Sequence, residues 1–171
     1  MKIHRLEREQ HLPRPVEEVF AFYAEARNLE RITPPLLGFT VVGDEAIELR
    51  PGALIQYRLR IHGLSIDWLT RIAEWVPDER FVDEQLAGPY RLWHHTHTFE
   101  TRDGGTLIAD VVRYALPLWP LGELAAPIVR RDLARIFDFR REEVERLASA
   151  GSLAGPCAAS GVSGSPALGR A

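Results

Sequence analysis

Apolar and polar residues alternate with period two over most of the first 115 positions and shift to helical spacing in three places. Period two marks a strand with one buried face, because successive strand side chains point to opposite sides. A first strand is predicted over 2–12. Pro15 then suits a first helical position, and Val16, Val19, Phe20 and Tyr23 form one apolar stripe. A second short helix carries Leu29 and Ile32 and must end before Pro34 and Pro35. Strands are predicted over 39–42, 53–61, 64–76, 80–86, 90–100 and 106–115. Turn signals separate them at His62–Gly63, Pro77–Glu79, Ala87–Pro89 and Asp103–Gly105. Helical spacing returns over 121–148, where Leu124, Ile128, Leu133, Ile136, Phe137, Val144 and Leu147 define an inward stripe. Pro127 must either kink that helix or mark the true start of its main part. One strand, two short helices, six short-linked strands and a long helix make an α+β fold. An antiparallel sheet of about seven strands packs against the long helix.

Turn lengths fix which side chains meet. A two-residue hairpin at His62–Gly63 opposes Ile61 to Leu64, Leu59 to Ile66 and Tyr57 to Trp68 on a wholly apolar face. The other face pairs Arg58 with Asp67 and Arg60 with Ser65. Tyr57, Leu59, Ile61, Ile66 and Trp68 are therefore predicted to share the concave face with Ile136 and Phe137. A two-residue turn at Asp103–Gly104 opposes Phe99 to Ile108, His97 to Asp110, His95 to Val112 and Trp93 to Tyr114. Directly opposed Cβ atoms lie about 4.5–5.5 Å apart, so His97 and Asp110 are predicted to touch. That face carries the larger apolar surface and is predicted to point inward, leaving His94, Thr96, Thr98 and Arg113 outside. A slip of one residue would send Asp110 to the other side. The signal at Ala87–Pro89 sets no register, so whether Asp83 and Gln85 join the histidines stays open.

Composition adds bounds. From Ser149 onward Gly, Ala, Ser and Pro supply 18 of 23 residues. Such a segment buries too little apolar surface to offset its ordering entropy, so 149–171 is expected to be a disordered tail behind one domain at 1–148. Apolar residues at 46% and charged residues at 26% describe an ordinary globular chain. A net charge of −3 and a pI of about 6.1 give no broad attraction to nucleic acid or anionic lipid. Cys157 is the only cysteine, which excludes an internal disulfide. The N-terminal MKIHRLEREQ is too charged for a secretory signal, and no apolar run is long enough to span a membrane. A cytoplasmic protein is the expectation.

The stretch RLWHHTHTFE holds three of the six histidines. His95 and His97, at i and i+2 on a strand, reach one side together. A zinc site would need a third and usually a fourth ligand. Asp110 or Asp83 could contribute, but no cysteine or further histidine is placed to help, and neither a metal nor a cofactor is expected. His97 with Asp110 is alternatively an acid–base dyad: the carboxylate fixes the tautomer, and the second ring nitrogen faces the cavity ready for proton transfer. Tyr57, Thr70 and Tyr114 would orient substrate oxygens. The plainest reading is that the pair satisfies itself and lends polarity to a pocket wall. Trp68, Phe81, Trp93, Phe99 and Tyr114 would supply aromatic surface, and Arg140 a cation for an anionic head. Trp119 sits where the chain crosses to the long helix, either gating the cavity mouth or covering the helix end.

The segments PVEEVFAFYAEARNLERITPP, GPYRLWHHTHTFE and LARIFDFRREEVERL together resemble the START-like or SRPBCC superfamily, which holds polyketide cyclases, aromatases and lipid-transfer proteins. The chain looks most like small bacterial members of unassigned function. The resemblance covers 1–148 and implies a helix-grip fold, a curved sheet wrapped around the C-terminal helix and enclosing a deep cavity. The superfamily shares no catalytic set, so no catalytic residue is carried over.

The leading expectation is a binding protein for a small hydrophobic ligand such as a lipid, quinone or polyketide-like aromatic. Its ligand site is expected to draw on Tyr57, Trp68, Thr70, Phe81, Asp83, Gln85, Trp93, His95, His97, Asp110 and Tyr114. The alternative is a cofactor-independent cyclase, dehydratase or aromatase using His97 and Asp110. A third reading, an interaction module with a vestigial cavity, requires an exposed apolar patch, which the polar outer face around Arg58, Arg60 and Asp67 does not suggest.

Overall fold

The computed structural model describes residues 1–43 and 47–153. The chain runs β1 (His4–Leu12), α1 (Val16–Ala24), α2 (Asn28–Arg31), β2 (Thr40–Val41), β3 (Leu54–Ile61), β4 (Leu64–Val76), β5 (Arg80–Ala87), β6 (Leu92–Arg102), β7 (Gly105–Ala115) and α3 (Ala126–Ser149). The strands form one antiparallel sheet in the order β1-β7-β6-β5-β4-β3-β2. It is curved, and α3 lies across its concave face, as the predicted helix-grip architecture requires.

Both hairpin registers agree with the turn arithmetic. His62 and Gly63 have φ of 50° and 82°, and Asp103 and Gly104 have φ of 49° and 75°. Two consecutive positive φ angles make the tight turn whose twist matches that of its flanking strands. Tyr57 accordingly opposes Trp68, and His97 opposes Asp110. Between β4 and β5 the ladder slips at Leu69–Thr70 and again at Ile72–Glu74. Such irregularities cannot be read from alternation, because each inserts an unpaired residue into a period of two. Beyond them, β5 meets β6 with Asp83 opposite His95 and Phe81 opposite His97.

Three apolar clusters fill the interior. One joins Phe20, Phe22 and Tyr23 of α1 to Phe81, Phe99 and Ile108 of the sheet and to Val144 and Leu147 of α3. A second packs Val112 and Tyr114 against Leu133 and Phe137, and a third gathers Val41, Ile55, Tyr57 and Ile72. The chain after α3 turns back, with the Ser152 amide donating to the Leu147 carbonyl at 2.9 Å and Leu153 fully buried. The segment expected to be a tail from 149 thus has its first residues packed on the domain; residues 154–171, Cys157 among them, lie outside the described residues.

The stripe of the last helix needs a correction at its start. Leu121–Ala125 is a separate 3₁₀ turn, and Pro127 occupies the first turn of α3, where its missing N–H costs nothing. The residues before it follow a different helical phase. Leu124 and Ile128, expected inside, are 81% and 50% exposed. With Leu118, Trp119 and Leu121 they form an exposed apolar run over 118–128, which the outer sheet face gave no sign of. Among the described residues, no helix is long and apolar enough to cross a membrane.

Candidate functional site

Between the concave face and α3 lies a cavity of about 140 Å³. Strands β3 to β6 supply most of its wall, with Tyr57, Leu59, Ile61, Trp68, Thr70, Phe81, Trp93 and the two histidines. Leu133, Ile136 and Phe137 of α3 face them, and α1 contributes Tyr23. Ile66, predicted for the same face, is not part of this wall.

The polar centre of the wall is a four-membered box. Asp110 Oδ1 accepts a hydrogen bond from His95 Nε2 at 2.9 Å and lies 2.8 Å from His97 Nδ1. The second contact is short but off the N–H axis, so His97 Nδ1 has an ion-pair neighbour without an aligned hydrogen bond. On the cavity side, His97 Nε2 bonds Asp83 Oδ2 at 3.1 Å, and His95 Nδ1 lies 3.3 Å from the same oxygen. The imidazole centroids are 3.7 Å apart, and Phe81 stacks on His97 at 4.1 Å. Trp93 Nε1 adds a bond to Asp83 Oδ1 at 3.3 Å. The sequence-predicted pair of His97 and Asp110 is therefore half of a larger device. The correction concerns the free nitrogen: each of the four ring nitrogens stands within 3.3 Å of a carboxylate oxygen, so His97 offers none unoccupied to a substrate.

Burial and charge work against each other here. Burial alone would lower the His95 imidazole, but the Asp83 charge and the bonds to both carboxylates raise it to about 8. Burial alone would raise both carboxyl groups. The charges of His95 on Asp83 and of His97 on Asp110, with the close polar contacts from both rings, hold them well below the usual carboxylate range. A pH profile of stability follows. The His95 contribution, about 2 kcal/mol for a rise from 6.5 to about 8, is complete below pH 6.5 and lost as pH climbs through 8. The carboxylate contributions are complete above the ordinary carboxylate range and lost in acid. Thermal melts in chelating buffer are expected to plateau between about pH 5 and 6.5 and to fall on both sides. A midpoint flat from pH 6 to 9 would refute the coupling.

Other predicted site residues divide. Tyr57, Trp68, Thr70, Phe81, Asp83, Trp93, His95 and His97 line the cavity, whereas Asp110 stands behind the two rings. Gln85 does not join them: it turns away to clasp Tyr90, donating to its carbonyl at 2.7 Å and accepting from its amide at 3.2 Å. Tyr114 is buried against His4, at a ring separation of 5.2 Å, and does not reach the cavity. Trp119 lies outside the cavity wall, 56% exposed. Tyr23 and Tyr90 do line it and were not singled out; Tyr23 was visible only as one more member of the α1 stripe. The phenols of Tyr23 and Tyr57 are pushed up first by burial and then by Asp110 and Asp83 respectively, which keeps them neutral O–H groups.

Besides His97 Nδ1, two further nitrogens of this wall, Trp68 Nε1 and Arg140 Nε, are buried with no hydrogen-bond partner among the described residues. The Arg140 guanidinium lies over the Phe137 ring at 5.0 Å.

A family model described as polyketide cyclase/dehydrase and lipid transport matches residues 12–139. No curated protein matches the chain. Among solved structures, TTHA0849 from Thermus thermophilus superposes with a TM-score of 0.65 at 21% identity, covering 87% of this chain and 99% of its own. The Zhui aromatase/cyclase from a Streptomyces species gives 0.70 at 14% identity, with coverages of 86% and 94%. Ara h 8.0201 gives 0.63 at 16% identity, with coverages of 87% and 99%. At these identities the likeness is one of fold.

Proposed function

The chain belongs to the polyketide cyclase/dehydrase and lipid transport family, and from that premise we propose that it binds a small aromatic molecule rich in oxygen acceptors, such as a quinone or a polyketide-like phenolic ketone. The cavity's size and its unpaired donors carry the reading. A volume of about 140 Å³ compares with the engineered apolar hole of about 150 Å³ that takes up benzene, so the guest inside is one ring rather than an extended acyl chain. The wall is mostly apolar, as small-molecule sites are. Its buried Trp68 and Arg140 donors, without a partner among the described residues, are groups to which a ligand could bring acceptors. Binding is favoured over proton-transfer catalysis because the histidines spend their ring nitrogens on Asp83 and Asp110. For cyclase chemistry, present in the Zhui neighbour by its description, both cavity imidazoles are already engaged with carboxylates.

Solvent extraction of protein purified without detergent, followed by mass spectrometry, tests the reading. A co-purifying aromatic carbonyl compound is expected. Trp68→Phe should weaken it roughly tenfold, the worth of one buried hydrogen bond, while its deoxygenated analogue binds both proteins alike. If no compound is extracted and a series of quinones and hydroxyketones leaves tryptophan fluorescence unchanged, the reading is wrong.

A further inference from the structure

The box has two unlike sides. Asp83, His95 and His97 face the cavity, while Asp110 sits behind both imidazoles. We propose that Asp83, His95 and His97 form a three-ligand zinc site whose remaining coordination position opens into the cavity, with Asp110 as the outer carboxylate that orients both rings.

The donor spacing is the first reason. Ligand atoms about 2.0–2.1 Å from a tetrahedral zinc stand about 3.3 Å from one another. Asp83 Oδ2 is 3.1 Å from His97 Nε2 and 3.3 Å from His95 Nδ1. The three residues bring their donor atoms within 4.8 Å of one another, with both histidines buried. A zinc ion equidistant from the three donor atoms lies off each direct N···O line.

Asp110 is the second reason. Histidine ligands nearly always give their other N–H to a carboxylate or carbonyl, which fixes the tautomer and the ring plane. Here one carboxylate serves both rings, at 2.9 Å from His95 Nε2 and 2.8 Å from His97 Nδ1. The scaffold is also rigid, since His95 and His97 alternate on β6 and Asp83 is paired directly across on β5.

Charge is the third: the carboxylates of Asp83 and Asp110 flank both imidazoles on opposite sides, and two mostly buried acidic groups suit a dication placed on the cavity side. The open position is left for water or a ligand oxygen. The site does not depend on the ligand proposed above, because the apolar remainder of the wall is unchanged by it.

Protein stripped with chelator and titrated with cobalt(II) is expected to take up one equivalent and develop the strong visible bands of four-coordinate cobalt, which zinc then abolishes. X-ray absorption of the zinc form should show two imidazoles in the inner shell. His97→Ala and Asp83→Ala should each weaken zinc by at least about a hundredfold. Asp110→Asn should keep the four-coordinate cobalt spectrum and weaken binding about 10–100-fold, the usual effect of an outer-shell partner. His62→Ala, at the exposed pair with Asp132, should change nothing. Substoichiometric uptake, a six-coordinate spectrum indifferent to His97→Ala, or an inner shell without imidazole would each overturn the site. The absorption measurement decides on the wild-type chain alone should a variant fail to fold.

Discussion

Asp110→Asn is expected to cost about 3–5 kcal/mol of folding stability, read as a lowered urea midpoint at unchanged slope. The carboxylate is buried and lies within 2.9 Å of a nitrogen of each imidazole. An amide in its place removes a full negative charge from between two rings and leaves imidazolium charge poorly compensated in a low-dielectric wall. Replacing all four members with apolar residues of similar bulk (Asp83→Val, His95→Leu, His97→Leu and Asp110→Val together) should cost less than the single change. Removing a whole buried ion network spares its desolvation as well as its attraction. That ordering would mean the box is kept for what it binds rather than for stability. A loss below about 1 kcal/mol in Asp110→Asn would show that the four groups are not coupled.

Phe137→Ala should be of similar size, about 3–5 kcal/mol, for a different reason. Its ring is 4% exposed, meets the His95 ring edge-on at 5.5 Å and carries the Arg140 guanidinium at 5.0 Å. Truncation removes that contact and joins its volume to the cavity. The two effects separate by experiment. The urea midpoint falls in the absence of ligand, and a guest larger by one ring restores part of the loss by mass action, which the wild-type protein should not permit. Equal response of both proteins to the larger guest would show that Phe137 does not bound the cavity.

How much of this was legible depended on the turn. Two-residue turns at His62–Gly63 and Asp103–Gly104 transmit register without error, so the apolar face of β3 and β4 and the meeting of His97 with Asp110 could be counted off. Asp83 could not be. Its partner His95 lies across the Ala87–Pro89 turn, and its own strand meets β4 through two slips that a period of two cannot reveal. With the register of Asp83 left open, the larger fact stayed hidden, that His95 and His97 share both carboxylates. Gln85 illustrates the opposite error. It shares Asp83's parity on β5, yet its side chain closes on Tyr90 at the turn. The start of α3 misled because the apolar spacing of Leu124 and Ile128 continues the later stripe, whereas Pro127 separates two helical phases.

The pairing of β1 with β7 has a kinetic side. Every other strand of the sheet pairs with a neighbour in sequence, but Leu12 must find Thr106 and His4 must find Tyr114. Closing so long a loop costs about 3 kcal/mol more in chain entropy than closing a two-residue turn. Burial along that seam, with Leu12 wholly enclosed, must offset it before the seam can hold. The strands bearing Asp83, His95, His97 and Asp110 are consecutive hairpin neighbours and escape the cost. The chain can therefore align its four charged groups while its N-terminal strand is still searching, and the seam that shuts the domain is the natural place for it to open first.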